Sequence, residues 1–242
     1  MCFIQNNESK RFLQYFNIKS IKDYGNLKFT KSKLKPAIKN IKKLSKIFKN
    51  KKIWCASSTH DNEEELIGKV HISLKKNIKN LITIIIPRHI NRVEAIYEKL
   101  KLMNLKIQLH SQQSKQKNYD IYLVDVYGET ENFYRLSNIV FLGGSLIKHG
   151  GQNPIEAIQL NCAIMAGPYM FNFSEIVEDF DVNDASLSLS SKKDFLDTLT
   201  TFLESPEFAQ NCAEKQQKVI AKKSKVLESV FQIIAGYLPV SE

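Results

Sequence analysis

The sequence predicts an α/β protein built on a doubly wound parallel sheet. Apolar runs of strand length alternate with helical patterns along most of the chain. The run at 81–86, Leu-Ile-Thr-Ile-Ile-Ile, is apolar on both faces, as a strand covered by helices on each side must be. Polar and glycine-bearing segments recur directly after the apolar runs, where the carboxyl ends of parallel strands gather and ligands bind.

Taken in order, residues 9–16 read as the tail of a helix and 18–24 as a short strand, with a turn or linker at 25–29. Pro36 suits a first helical turn. From there Leu34, Ile38, Ile41, Leu44 and Phe48 recur at helical spacing among lysines, which predicts an amphipathic basic helix over 34–49. Its apolar stripe is better suited to a core than to lipid. Strands follow at 53–57, 81–86, 106–110, 121–125, 139–142 and 163–166, with a weak one at 187–189. Helices fall at 61–76, 91–103, 131–137, 154–160, 171–180 and 194–203. The first of these opens on Glu63, Glu64 and Glu65, acids that suit a helix N-terminus. A long, mostly helical tail that can be broken covers 207–237.

The 242 residues fit one large domain or one domain with appendages, and 43% hydrophobic content supports a packed core. No window approaches the roughly 18 apolar residues that span a bilayer, and the first residues lack the apolar segment of a signal peptide. Cys2, Cys55, Cys162 and Cys212 are scattered without CxxC spacing, so a reduced, cytoplasmic setting is expected rather than a disulfide framework or a zinc site. The net charge of +10 is uneven: residues 1–52 carry 15 Lys/Arg against Glu8 and Asp23. Such an end can be a solvated lysine-rich surface, a contact with anionic lipid, or a nucleic-acid contact.

The segment at 138–156 carries most of the chemistry. An apolar strand ends in Gly143-Gly144-Ser145, and a second pair, Gly150-Gly151, leads through Gln152 and Asn153 to Pro154, Ile155 and Glu156. Glycines let backbone N–H groups approach a ligand, and a helix N-terminus adds donors and partial positive charge. The pattern predicts a phosphate or nucleotide site, with Asn153 as cap, Pro154 in the first turn and Glu156 holding sugar hydroxyls. Turn chemistry alone also accounts for Asn153 and Pro154. Pro87-Arg88-His89 puts a guanidinium, suited to phosphate, just past a buried strand; an Arg–carboxylate pair is the structural alternative. His60 and His89 remain acids, orienters or plain loop residues. Asp125 with Tyr127, Gly128 and Glu129 can offer a carboxylate or an amide to a base or sugar, or simply start a helix. Tyr169, Phe171, Asn172 and Phe173 line a pocket or plug the sheet end. GxGxxG and GxxxxGK patterns are absent, and no histidine spacing supports a metal.

These motifs resemble, in order, one family: the 3-deoxy-D-manno-octulosonic acid (Kdo) transferases of lipopolysaccharide synthesis. The resemblance rests on Gly25-Asn26-Leu27-Lys28-Phe29, Ala56-Ser57-Ser58-Thr59-His60, Pro87-Arg88-His89, Val124-Asp125, Gly128-Glu129, Phe133-Tyr134, the 141–146 and 150–156 glycine segments, and Gly167-Pro168 with Asn172-Phe173, spanning roughly 5–235. It implies the C-terminal, donor-binding, Rossmann-like domain of a GT-B glycosyltransferase. Residues 1–30 would be the remnant of an N-terminal domain and linker, and 31–242 a CMP-sugar-binding domain with a C-terminal helix. It implies an inverting, metal-independent transfer of Kdo from CMP-Kdo to lipid IVA, without a cofactor, at the cytoplasmic face of a Gram-negative inner membrane.

Carried over by position, Pro87 and Arg88; Tyr127, Gly128 and Glu129; and Asn153, Pro154, Ile155 and Glu156 would contact the CMP part. Gly143, Gly144 and Ser145 would approach the phosphate or sugar. Gln152 stands where the family usually has His, and Ala157 where it usually has Pro. The family's glutamate base belongs to the N-terminal domain and has no match here, so the resemblance implies a donor half inactive alone. A separate N-terminal half and a peripheral anionic membrane surface are then expected partners, and nucleic acid is not. The alternative is a non-catalytic nucleotide-sugar-binding relic or partner subunit.

Overall fold

The structure, a computed structural model, describes residues 1–4, 7–24, 27, 41–112, 118–185, 188–223 and 226–237. Six strands form the main sheet: β3 (Lys52–Thr59), β4 (Leu81–Pro87), β5 (Ile107–Leu109), β6 (Ile121–Leu123), β7 (Ile139–Leu142) and β8 (Ala163–Ala166). They pair in the order β5-β6-β4-β3-β7-β8, all parallel. The chain enters at the centre with β3, builds one side through β4, then returns to lay β7 and β8 on the other. That reversal opens a crevice beyond the carboxyl ends of β3 and β7.

Ahead of this sheet, β1 (Cys2–Ile4) and β2 (Ile21–Asp23) pair in parallel with α1 (Asn7–Tyr15) between them. The pattern reading anticipates α1 and β2 but not β1, which is three residues long. Of the basic helix predicted over 34–49, the described part is α2 (Ile41–Ile47); Leu34, Pro36 and Ile38 lie outside the described residues, as do all but Leu27 of the predicted turn at 25–29. Leu44 and Phe48 are buried in the core, so this stripe packs inward and leaves Lys42, Lys43, Lys46 and Lys49 in solvent.

The remaining helices are α3 (Glu63–Lys75), α4 (Val93–Leu102), α5 (Thr130–Ser137), α6 (Ile155–Gln159), α7 (Ser174–Val182), α8 (Lys192–Glu204), α9 (Pro206–Lys223) and α10 (Val226–Ala235). Two apolar layers sandwich the sheet because successive strand residues point to opposite faces. On one face Ile67, Val70, Ile96, Leu100 and Phe195 meet Trp54, Ile85 and Phe141. On the other Leu44, Phe133, Ile155 and Ile176 meet Cys55, Ile84, Val140 and Leu142. The predicted doubly wound parallel sheet is therefore the observed one.

Two local devices complete it. Asn50, Asn80, Asn104, Asn138 and Asn161, each shortly before a strand, take φ between 54 and 62°, a left-handed conformation that asparagine tolerates better than most residues. At the β8 edge, Gln216 of α9 replaces a missing strand. Its Oε1 accepts from Ile164 N at 3.0 Å, and its Nε2 donates to Ile164 O and Ala185 O, each at 3.2 Å. An otherwise open edge is thereby closed.

Differences from the predicted elements are short. The helix expected from 171 begins as a 3-10 turn, Phe171–Phe173, and becomes α-helical at Ser174. Of the weak strand at 187–189, Leu187 lies outside the described residues, and Ser188 forms one bridge with Ala166. Among the described residues no helix is long and apolar enough to cross a membrane, and the four cysteines are free.

Candidate functional site

All five predicted loops leave carboxyl ends of strands in the main sheet: after β3, β4, β6, β7 and β8. The centre of this rim is shaped by a kink in β3. The register with β4 shifts between Ser57 and Thr59, and Ser58 has φ 55°. The kinked backbone presses against Gly143: a Cβ there would stand 2.2 Å from Ser58 O. Gly143 N donates to Ser57 O at 2.8 Å, and Arg88 N donates to Thr59 O at 3.0 Å, which ties three strand ends together.

Glu63, at the start of α3, organises the glycine loop. It is 1% exposed, and its Oε2 accepts from Gly144 N at 2.7 Å and His60 N at 2.9 Å. Its Oε1 accepts from Leu146 N at 3.1 Å. Burial pushes this carboxyl above its usual range, and the three amides pull against that rise. The acidic first turn is visible in the sequence, but the pattern reading assigns Glu63 to helix-dipole balance and misses this role.

The amides of Gly143 and Gly144, expected to meet a phosphate, are engaged in this structure by Ser57 and Glu63. Ser145 is fully buried; its Oγ donates to Leu142 O and accepts from Gly167 N at 2.8 Å. The loop is a brace between strand ends, and its glycines are required by close approach. Gly151 does similar work: its N donates to Gly144 O at 2.9 Å, its φ is 75°, and a Cβ would fall 2.1 Å from Met170 Sδ. Asn172 also braces, through its N to Gly150 O at 3.1 Å and its Nδ2 to His149 O at 3.3 Å.

The other predicted residues divide into groups. Arg88 and Asn153 are exposed at the rim, and Glu156 is half-buried. Asn153 Oδ1 accepts from Ile155 N at 3.0 Å, but α6 begins at Ile155 with Pro154, not Asn153, in the cap position. This helix has five residues, so its dipole is small. Pro87, Pro154 and Ile155 are buried, which places their side chains behind the rim. Glu156 acts electrostatically on the buried Tyr134 hydroxyl, itself 2.6 Å from Ser57 Oγ. Burial is the main cause of the raised Tyr134 pKa.

Tyr127, Gly128 and Glu129 lie on the β6 side. Tyr127 is 68% exposed and Gly128 has φ 84°. Glu129 Oε2 accepts from Asn132 Nδ2 at 3.0 Å and lies 3.9 Å from His110 Nε2. These contacts run to α5 and the segment after β5.

The structure also gathers histidines that the sequence leaves apart. His60 follows β3, His89 follows β4 and His149 belongs to the loop after β7. The His60 and His149 rings stack 4.1 Å apart, and His60 stands 6.3 Å from His89. Gln152 Nε2 lies 3.1 Å from His60 Nε2. Gly144 makes room for the stack: a Cβ there would lie 3.1 Å from His149 Cδ2 and 3.2 Å from His60 Cδ2. Burial, then electrostatic repulsion from His149, Arg92, His89 and Arg88 when His60 is protonated, lower the His60 pKa to about 4. Arg92 is held by Glu64 at 2.9 and 3.1 Å, whereas the Arg88 side chain extends to solvent. Among the described residues no His, Cys, Asp and Glu group is arranged to hold a metal ion.

Comparison with known proteins places this architecture. No family model matches the chain. The 3-deoxy-D-manno-octulosonic acid transferase of Rickettsia prowazekii is 34% identical over 248 residues, covering 96% of this chain and 52% of the relative. The Haemophilus influenzae transferase is 30% identical over 217 residues, covering 88% of this chain and 51% of the relative. The crystal structure of the C-terminal CMP-Kdo binding domain of WaaA from Acinetobacter baumannii superposes with a TM-score of 0.68 at 30% identity, over 74% of this chain and 97% of that domain. The chain belongs to the Kdo transferase family. It spans about half the length of the curated relatives it matches, and its fold is that of the C-terminal domain of their GT-B architecture. A glycosyltransferase from Rickettsia africae, 16% identical with a TM-score of 0.60, shares the fold.

Proposed function

We propose that this chain binds CMP-Kdo and acts as the donor-binding half of a Kdo transferase. The observation that carries the reading is the match of 74% of this chain to 97% of a solved CMP-Kdo binding domain, with the five motif loops on one rim. In this reading Arg88, exposed at the rim, pairs with an anionic group of the donor, and Glu156 holds ribose hydroxyls. Tyr127, Gly128 and Glu129 supply a further donor contact from the β6 side. Pro87, Pro154 and Ile155 contribute backbone and shape, while Gly143, Gly144 and Ser145 fix the loop that positions the rest.

In this reading the sugar passes from CMP to lipid IVA at the cytoplasmic face of the inner membrane. A carboxylate base activates the acceptor from the opposite side of a cleft, in an N-terminal domain of which residues 1–30 form the end. Positive charge at the rim helps the leaving phosphate, and positioning of donor against acceptor supplies the remainder. The lysine-rich surface around α2 faces anionic lipid.

Calorimetric titration with CMP tests the donor reading. The unaltered chain should bind, and Arg88→Ala or Glu156→Ala should weaken binding about ten-fold or more, the loss of one charge-assisted contact. No CMP binding by the unaltered chain refutes it. Transfer measured with and without a relative's N-terminal half then separates a donor half from a binding module without transfer.

A further inference from the structure

Three of the amides that the glycine loop offers on this rim are taken: Gly143 N, Gly144 N and Leu146 N are committed to Ser57 and Glu63. An anionic group arriving here cannot use those three. The groups that remain on the same rim are cationic or can become so: His60, His89 and His149 from three separate loops, with Arg88 beside His89.

We propose that His60, His89 and His149, together with Arg88, form the oxyanion seat of the site, in place of the glycine-loop amides. The inference rests on the donor reading and adds where the donor's charge is held and how.

Geometry favours the seat. The stacked His60 and His149 rings rest with one edge on Gly144, whose absent side chain admits them, and His149 is exposed at the rim. Gln152, 3.1 Å from His60 Nε2, can orient that ring from the next turn of the loop. The groups facing His60 are Arg92, Arg88, His89 and His149 on the cationic side, and Asp61, Glu63 and Glu64 on the anionic side. Both buried acids are engaged: Glu63 by three amides and Glu64 by Arg92 and Thr59 Oγ1 at 2.9 Å. Asp61 is held by Arg92 and Lys99 at 3.3 and 3.1 Å. Little free negative charge therefore opposes an incoming anion.

Protonation follows from the same arrangement. With its pKa near 4, His60 is neutral at pH 7, because it is partly desolvated and stands near Arg92 and Arg88. An oxyanion in the seat offsets those neighbours and raises the His60 pKa. Binding then takes up a proton and tightens as pH falls.

The donor carries two oxyanions, the phosphate of CMP and the carboxylate of the sugar, and the test separates them. Cytidine, CMP and freshly prepared CMP-Kdo are titrated into the unaltered chain, His149→Ala and His60→Gln, in two buffers of different ionisation enthalpy. His149 is exposed, so its removal leaves the core intact; a melting curve checks His60→Gln. If phosphate occupies the seat, both variants lose about ten-fold in CMP affinity, keep cytidine affinity, and lose the proton uptake. If the carboxylate occupies it, CMP is unaffected and CMP-Kdo alone loses. Unchanged affinities for both anions overturn the seat. Should the unaltered chain bind no CMP, the donor reading fails; titration with inorganic phosphate then decides the seat, supported by shifts of the His60 and His149 ring resonances and overturned by their absence.

Discussion

Glu63→Gln isolates the residue that holds the site together. The change keeps shape and volume but turns one carboxylate oxygen into an NH2 group. Of the two amide orientations, the better keeps the oxygen toward Gly144 N and His60 N, at 2.7 and 2.9 Å, and turns the NH2 toward Leu146 N. The Leu146 amide then loses its acceptor and meets another donor, a cost of about 1–3 kcal/mol. The two retained bonds change from charge-assisted to neutral, losing about 1 kcal/mol each. Relief of burying a charge opposes this by about 1–2 kcal/mol, consistent with the raised carboxyl pKa. The net destabilisation is about 2–3 kcal/mol, which lowers the urea midpoint by about 1 M for a slope of about 2–3 kcal/mol/M. Amide exchange at Gly144 and Leu146 should rise more than elsewhere, because the brace is lost locally. A midpoint unchanged within error, with unchanged exchange at those two amides, refutes the assignment of Glu63 as the organiser of the loop.

Gly143→Ala drives a Cβ to 2.2 Å from a backbone oxygen; thermal unfolding should show a loss of at least about 2 kcal/mol, and a normal melting temperature would mean that β3 yields easily. Gln216→Leu leaves Ile164 and Ala185 backbone groups without their partners at the β8 edge, so stability should fall by about 2–4 kcal/mol with accelerated exchange at Ile164. Acid should destabilise the fold in two stages. The folded His60 pKa near 4 lies below its ordinary 6.5, so the unfolded chain takes the proton first and stability declines as pH falls from 6.5 to 4. Asp120, lowered from 3.8 by His71, Lys106 N and Lys75 despite its burial, adds a further loss below 3.8. Glu63 acts in the opposite sense, its raised pKa letting the folded state accept a proton as pH falls; comparison with His60→Gln in urea titrations therefore isolates the upper stage, which that variant should flatten while leaving the lower.

The sheet was legible because it follows from one-dimensional pattern. Each buried strand is an apolar run, and Ile82, Ile84 and Ile86 against Leu81 and Ile85 divide between the two core layers by alternation alone. What pattern could not supply was chain reversal at helix ends. Glycine is the expected left-handed residue, yet Asn50, Asn80, Asn104, Asn138 and Asn161 fill those turns. Asparagine is ambiguous in a sequence because it serves caps, loops and solvent equally well. The three-residue β1 and the side-chain closure of β8 by Gln216 were hidden for a related reason: neither has a period.

The site shows a sharper division. The rim could be located from the sequence because loop position follows from strand position, and all five motif loops are there. Which atoms face outward could not. A glycine pair after a strand reads as an anion cradle when the amides are free, and as a close-packed brace when a neighbouring carboxylate takes them. The residue that decides between these is Glu63, 80 positions or more from the amides of Gly144 and Leu146, and its helix-start position gives it an ordinary explanation. The sequence likewise singles out His60 and His89 but not His149, since the three share no spacing; the parallel sheet brings them together by placing β4 and β7 on either side of β3. Motif spacing therefore carries information about ligands only after the fold has allotted each polar group its partner, and here Glu63 and Ser57 take amides of the glycine loop while the sheet gathers three histidines from separate loops.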